Sequence, residues 1–280
     1  MSMSFRQKLY RGLQYIVHGT PIKKIQVNVS YLSPNQRLLG KRILVTGGGR
    51  GLGFSMAKKF ISEGAIVLIT GRNEEILRKS ASEIGCKYLK FDIQNIKDID
   101  DFFIKASEIL GYFDCLVNNA GISLHEGNIR NVTLEQFDRQ IDTNLKGGYF
   151  LTQRFLKIFE EKNLSNGNIL FVSSERGSYV DDLPYGLTKV AVNSLVQGLA
   201  KRVIDLNIRV NAIAPGVTAS EMTGFKENGD LYCPYNITER AYLPDEVAEV
   251  ACFLLSDASN CLSGQILVCN EGKSINSHWR

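Results

Sequence analysis

Tyr185 and Lys189 stand four positions apart, a spacing that on a helix puts both side chains on one face, about one turn from each other. Their types suggest proton transfer. A tyrosine with its ordinary pKa of about 10 is a poor base near neutrality, and lowering it by about three units takes roughly 4 kcal/mol of extra stabilisation of the phenolate. A neighbouring ammonium is one source of it. A Tyr-x-x-x-Lys pair is also commonplace on ordinary helix surfaces, so its meaning depends on its surroundings. Ser174 lies eleven residues before Tyr185, at the end of the apolar run Ile169-Leu-Phe-Val-Ser173. A hydroxyl there could hydrogen-bond an oxygen on which negative charge develops. Ser173 is its neighbouring competitor. A Ser-His-Asp hydrolase is excluded, because His18, His125 and His278 sit near no nucleophile elbow and no Gly-x-Ser-x-Gly follows a strand.

A second constellation is Thr46-Gly-Gly-Gly-Arg-Gly-Leu-Gly53, which follows the apolar run Arg42–Thr46 and opens a helical pattern. A glycine-rich turn lets the backbone approach a pyrophosphate closely, while a helix N-terminus offers unsatisfied N–H groups and a positive dipole end. Anion binding follows from the composition. Glycine clusters also occur in plain surface turns, and the strand-to-helix position is what lifts this one above them.

The spacing G-x-x-x-G-x-G resembles that of the short-chain dehydrogenase/reductase family, and the resemblance runs from about residue 40 to 272. Asp92 matches the family's adenine-contacting acid, Asn118-Asn-Ala-Gly121 its strand-four motif, and Asn144, Ser174, Tyr185 and Lys189 its catalytic tetrad. Pro215-Gly216 follows the sixth strand as in the family, and Ser174-Glu-Arg-Gly177 aligns with a Ser-x-x-Gly segment that favours Ser174 over Ser173. The resemblance implies reversible hydride transfer between a nicotinamide cofactor and a secondary alcohol or ketone. It implies that Tyr185 moves the hydroxyl proton, Ser174 orients the oxygen, Lys189 tunes Tyr185 and binds the ribose, and Asn144 seats a relaying water. The cofactor cleft it implies involves Gly47, Arg50, Gly51, Leu52 and Gly53 in the turn, then Arg72, Asp92, Ile93, Asn119, Ala120 and Gly121. Pro215, Gly216, Thr218 and Ser220 complete it, together with Tyr185 and Lys189. Backbone groups near Val217 and Thr218, with the Ser220 hydroxyl, are expected to hold the carboxamide or the diphosphate.

Which nicotinamide cofactor is used turns on the adenosine ribose. A carboxylate at the tip of the second strand would accept from a 2′-hydroxyl, whereas a 2′-phosphate needs cations. That strand ends Ile69-Thr-Gly-Arg-Asn73, with no acid at its tip. Arg72 and Arg50 could converge on one phosphate, although Glu74 and Glu75 could neutralise Arg72 locally. The expected cofactor is NADP(H). The polar flank Glu175-Arg176 and the acids Asp181-Asp182 favour a small polar carbonyl substrate, such as a sugar or polyol. A 3-oxoacyl-thioester reductase is the alternative among enzymes. A non-catalytic dinucleotide-sensing regulator or scaffold is the alternative of another class, and retention of all four tetrad residues argues against it.

These residues need a scaffold. From about Lys41, β-rich apolar runs alternate with helical patterns, which calls for a doubly wound α/β fold with a parallel sheet and helices on both faces. The seven expected strands are Arg42–Thr46, Ala65–Thr70, Lys87–Phe91, Cys115–Asn118, Asn168–Ser173, Arg209–Ile213 and Gln265–Cys269. Helical periodicity marks Met56–Ile61, Ile99–Leu110, Phe137–Phe159, Val190–Val203 and Val247–Leu255. The expected domain spans residues 41–280, with a substrate-covering loop at about 216–243. Residues 1–40 are an extension: a basic amphipathic segment with Leu9, Leu13, Ile16 and Val17, then an alternating stretch, Ile25–Tyr31, suited to an added strand.

Composition closes off other classes. The 280 residues are 44% hydrophobic, enough for a large core, and the formal charge of +4 is too small for a nucleic-acid surface. No apolar run approaches the roughly 20 residues that span a bilayer, so no integral membrane segment is expected. Six cysteines without a C-x-x-C pair and no metal-spaced histidines lead to reduced thiols, no metal, and a cytoplasmic location. The family departures are Asn270-Glu-Gly272 after the last strand, the 40-residue leader, and Cys233-Pro-Tyr-Asn236 in the covering loop. By resemblance, a homodimer or homotetramer is expected through the helices around Phe137–Phe159 and Tyr185–Val203.

Overall fold

Seven short runs rich in Val, Ile and Leu form the strands β1 Arg42–Thr46, β2 Ile66–Gly71, β3 Lys87–Lys90, β4 Cys115–Asn118, β5 Asn168–Val172, β6 Arg209–Pro215 and β7 Ile266–Cys269. In this computed structural model they make one parallel sheet of order β3-β2-β1-β4-β5-β6-β7. Continuous apolar runs suit strands buried on both faces. The structure describes residues 35–275. The amphipathic segment and the Ile25–Tyr31 arm of the leader lie outside the described residues.

The helices are α1 Gly51–Ser62, α2 Glu74–Ile84, α3 Ile99–Leu110, α4 Leu134–Ile141, α5 Gly147–Glu161, α6 Pro184–Arg202 and α7 Pro244–Leu255. Met56 and Phe60 of α1, Leu77 of α2 and Val247 and Leu254 of α7 pack in one core layer with Ile43, Val45 and Ile69. Phe102 and Phe103 of α3, Phe155 and Phe159 of α5 and Val192 and Val196 of α6 pack in the other, with Leu44, Leu116 and Ile169. The strand order reverses between β1 and β4, which opens a crevice beyond their carboxyl ends. Among the described residues no helix is long and apolar enough to cross a membrane.

Three local departures from the expected elements bear on the site. Helix α2 was not expected from periodicity, because only Leu77, Ser80 and Ala81 are buried on it. It is fixed instead by its ends, where the Asn73 side chain accepts from Ile76 N–H and Gly85 closes with φ of 72°. Helix α6 begins at Pro184, six residues before the expected start at Val190, because proline is well suited to a first helical position. Tyr185 therefore sits in its first turn. The expected helix Phe137–Phe159 is interrupted between α4 and α5 by a wide turn, Asp142–Lys146, in which Gly147 N–H donates to Asp142 O. Such π-type turns lodge extra residues at functional places, and this one holds Asn144.

Ahead of β1, Arg37 is clamped by Glu63, a carboxylate 2% exposed that also pairs with Lys59 at 2.9 Å. The Arg37 hydrogen bond and the Lys59 contact hold Glu63 well below the usual carboxylate range, at about 2, against the upward push of burial. Its contribution to stability is present above the unfolded pKa of about 4.3 and lost as pH falls toward the folded value. We expect acid unfolding followed by circular dichroism to steepen between those limits, and Glu63→Gln to flatten that limb while lowering the melting temperature at neutral pH.

Candidate active site

The crevice is floored by a hydrogen-bonded knot between the ends of β1 and β4. Thr46 Oγ1 donates to Val117 O at 3.1 Å and accepts from the N–H groups of Asn119 and Ala120, both at 3.0 Å. In return, Asn119 Nδ2 donates to Thr46 O at 2.9 Å and Gly47 O at 3.1 Å. The glycine turn is folded onto this knot and is closed to a side chain at Gly53. A Cβ on Gly53 would lie 2.3 Å from Gly47 O and 2.5 Å from Asn119 Nδ2, and Gly47 itself has φ of +64°. Arg50 is the N-cap of α1 and its side chain makes no capping bond, so the helix presents bare N–H groups to the crevice.

That crevice is a cavity of about 810 Å³. Gly47, Arg50, Gly51, Leu52, Gly53, Arg72, Asp92, Ile93, Asn119, Ala120 and Gly121 line one part of it. Ser174, Tyr185, Lys189, Pro215, Gly216, Thr218 and Ser220 line the rest. Asn144 alone among the expected site residues is not on the wall; it stands behind it. Its Oδ1 accepts from Ile122 N–H and its Nδ2 donates to Ile122 O, both at 2.8 Å, with Thr188 Oγ1 at 3.3 Å. Both ends of the amide are therefore engaged in holding the segment after β4.

Lys189 is 4% exposed, and its ammonium donates to Val172 O at 2.9 Å from a point 5.5 Å from the Tyr185 ring centre. Burial lowers its pKa to about 8. Burial pushes the half-buried Tyr185 phenol upward, and the neighbouring Ser174 hydroxyl and Arg176 charge pull it back. The two adjacent serines separate by partner. Ser173 Oγ donates to Asn193 Oδ1 at 2.6 Å and is committed to anchoring α6. Ser174 Oγ accepts only Arg176 N–H, at 3.2 Å, which leaves its proton available.

The long loop after β6 folds on itself through paired contacts at Thr218 and Tyr242, Ser220 and Phe225, and Tyr232 and Arg240, and its Ser220, Glu221, Met222 and Thr223 line the cavity. Glu221 of this loop forms an ion pair with Arg50, and Met222 O lies 2.9 Å from His125 Nε2. Cys233 is fully buried at the loop base, while Tyr235 lines the cavity. Arg72, exposed at the end of β2, makes no hydrogen bond or ion pair among the described residues; Glu74 pairs with Lys90 at 3.9 Å instead.

Several lining residues were not singled out from sequence. Thr70 Oγ1 is buried without a partner at the end of β2. Tyr179 and Lys273 arrive from distant parts of the chain. Lys273 Nζ donates to Glu175 Oε1 at 2.8 Å and Asn270 Nδ2 to Glu175 Oε2 at 3.1 Å, so this buried acid is fully engaged. Asp181 is engaged as well, by Arg176 and by Leu183 N–H at 3.0 Å. Thr46 and Asn119, whose bond spans 73 positions, each lie in a motif read from the sequence, but their pairing carried no local signal.

Comparisons with known proteins agree with this geometry. A family model described as enoyl-(acyl carrier protein) reductase matches residues 47–274. An uncharacterized oxidoreductase of Mycobacterium bovis is 34% identical over 248 residues, covering 85% of this chain and 98% of the relative. Oxidoreductase UcpA of Salmonella typhimurium is 33% identical over 257 residues, covering 85% and 96%. Among solved structures, a 3-ketoacyl-(acyl-carrier-protein) reductase from Brucella melitensis complexed with NADH superposes with TM-score 0.78 at 32% identity, over 85% of this chain and all of the other. A short-chain type dehydrogenase/reductase from Mycobacterium marinum gives TM-score 0.77 at 28% identity, covering 85% and 97%. The chain belongs to the short-chain dehydrogenase/reductase family of oxidoreductases, whose cofactor is a nicotinamide dinucleotide. The residues present fit that group: a cradle closed to any Cβ at Gly53, an unpartnered Thr70 hydroxyl, and the uncapped N-terminus of α1.

Proposed function

We propose that the chain is an NADP(H)-dependent enzyme interconverting a secondary alcohol and a ketone, with a small polar carbonyl compound as substrate. The observation that carries this reading is the convergence of Ser174, Tyr185 and Lys189 on the same cavity as the glycine turn. When bound, the nicotinamide supplies or accepts the hydride. Tyr185 gives its proton to the carbonyl oxygen in reduction and takes it back in oxidation. Ser174 donates to that oxygen as charge grows on it. Lys189, fixed on Val172 O, holds positive charge beside the phenol and offers donors to the ribose. Asn144 serves the proton relay by holding the Gly121-Ile122 segment against Lys189.

The 2′-phosphate reading rests on Arg50 and Arg72 at the rim and on Gly71, rather than an acid, closing β2. Asp92, whose Oδ1 accepts from Gln94 N–H at 3.1 Å, is assigned to the adenine. Pro215, Gly216, Thr218 and Ser220 are assigned to the carboxamide and diphosphate. A thioester substrate is the second reading, favoured by the similarity to the Brucella melitensis 3-ketoacyl-(acyl-carrier-protein) reductase. A cytoplasmic homodimer or homotetramer is part of the proposal, supported by exposed Leu134, Phe137, Tyr149, Leu187 and Val190 on α4, α5 and α6. Light scattering that finds only a 31.2 kDa species at micromolar concentration would overturn the oligomer.

Calorimetric titration is expected to give at least about tenfold tighter binding of NADPH than NADH, the difference that one charge-assisted contact makes. Equal affinities would overturn the cofactor assignment. In a screen of NADPH oxidation across ketones, sugars and acyl thioesters, Tyr185→Phe should abolish turnover while leaving NADPH affinity nearly unchanged. Wild-type turnover by Tyr185→Phe would remove the mechanism.

A further inference from the structure

Arg176 lines the same cavity as Ser174 and Tyr185, and its guanidinium is fastened by an acid. The backbone N–H of Arg176 donates to Ser174 Oγ at 3.2 Å, while its guanidinium Nε donates to Asp181 Oδ2. Asp181 is not a loose counter-ion. Its carboxylate is 2% exposed and accepts Leu183 N–H at 3.0 Å, at the entry to α6. It also occupies the space over Gly186, where a Cβ would lie 1.8 Å from Asp181 Oδ2. The residue after Tyr185 is thus glycine because Asp181 must sit there. One carboxylate ties the start of the Tyr185 helix to Arg176.

An arginine presents five donors in a planar fork. Asp181 takes only the Nε edge, and neither terminal nitrogen of Arg176 has a partner among the described residues. The side chain is 44% exposed and lines the cavity. The other cations on the wall are engaged or placed elsewhere: Lys273 on buried Glu175, Lys189 on Val172 O, and Arg50 and Arg72 beside the glycine turn and β2. Nearby, the Tyr179 hydroxyl is buried without a partner. Of the acids of this region, Glu175 and Asp181 are engaged internally, while the exposed Asp182 adds a negative charge that favours the charged guanidinium.

We infer that Arg176 anchors a carboxylate on the substrate, so that the preferred carbonyl compounds are oxo acids reduced to hydroxy acids. This rests on the oxidoreductase reading above and makes it narrower. The carboxylate passes through the reaction unchanged; the carbonyl carbon gains the hydride of the reduced cofactor and its oxygen gains the Tyr185 proton. A fixed fork on the Ser174 side also selects which end of the substrate enters first, because a planar guanidinium matches a carboxylate in a paired geometry that a hydroxyl does not.

The test uses the full chain with NADPH and matched probes: pyruvate, acetoacetate and levulinate, each against its methyl ester. The expected result is at least one acid with kcat/KM about tenfold or more above its ester, the worth of a charge-assisted hydrogen bond. In Arg176→Gln that ratio should collapse toward one through a rise in KM for the acid rather than a fall in kcat. Arg176→Lys should recover only part of it. Esters or neutral ketones turned over as well as the acids would overturn the inference and leave the reductase reading standing. Equal losses on acid and ester in Arg176→Gln, carried by kcat with a shifted pH profile, would assign Arg176 to tuning Tyr185 instead. No turnover of any probe with NADPH still bound would reject oxo acids of this size, whereas failure to bind NADPH would remove the reading beneath it.

Discussion

A single buried ammonium organises the reacting end of this molecule. Lys189 is nearly inaccessible, carries one hydrogen bond to the carbonyl of Val172, and lies against the Tyr185 ring. Placing a cation in such a position is unfavourable, which is why its pKa falls to about 8. The placement requires β5 to end where it does, α6 to start at Pro184, and Ser173 to fasten α6 through Asn193. It also requires the wide turn around Asn144, which holds Ile122 and so the wall next to the ammonium. A phenol pushed upward by burial and a lysine pushed downward by the same cause are poor partners in isolation. Added positive charge in the cleft favours the phenolate and so makes their pairing useful.

The other end of the cleft is governed by close approach. Thr46 and Asn119 lace two strand ends together, and Gly53 packs on that knot where no Cβ fits. The covering loop reaches across both ends, to Arg50 through Glu221 and to His125 through Met222 O. An exposed ion pair of this kind contributes little to stability, so the proposed phosphate contact of Arg50 would displace Glu221 at small cost.

Much of this was legible in sequence because its signals are local. The Gly47 to Gly53 spacing, the Tyr185 to Lys189 helical repeat and the apolar strands each lie within a few residues. The parallel seven-stranded sheet followed from their alternation. What was hidden depends on partners distant in the chain. Lys273 reaches Glu175 across 98 positions and Glu221 reaches Arg50 across 171. Neither has a neighbour that announces it. Helix α2 escaped because its few buried residues are diluted by charge, and its caps rather than its stripe define it. The wide turn at Asp142–Lys146 escaped because Asp142-Thr-Asn-Leu145 reads as ordinary helix; just past it Gly147 packs where a Cβ would lie 2.6 Å from Ile93. The acids near the site were legible as residues but not as ion pairs, and their engagement moves attention from acceptors to the open fork of Arg176.

The central claim is that Tyr185 becomes a competent proton donor and acceptor through charge placed beside it. Ultraviolet difference titration of tyrosinate formation, wild type minus Tyr185→Phe, measures this directly with and without saturating oxidised cofactor. The account predicts ionisation above the ordinary value of about 10 in the cofactor-free protein, because burial raises it, and a fall of about three units once the cationic nicotinamide is bound. An ionisation that stays in place when cofactor binds would contradict it.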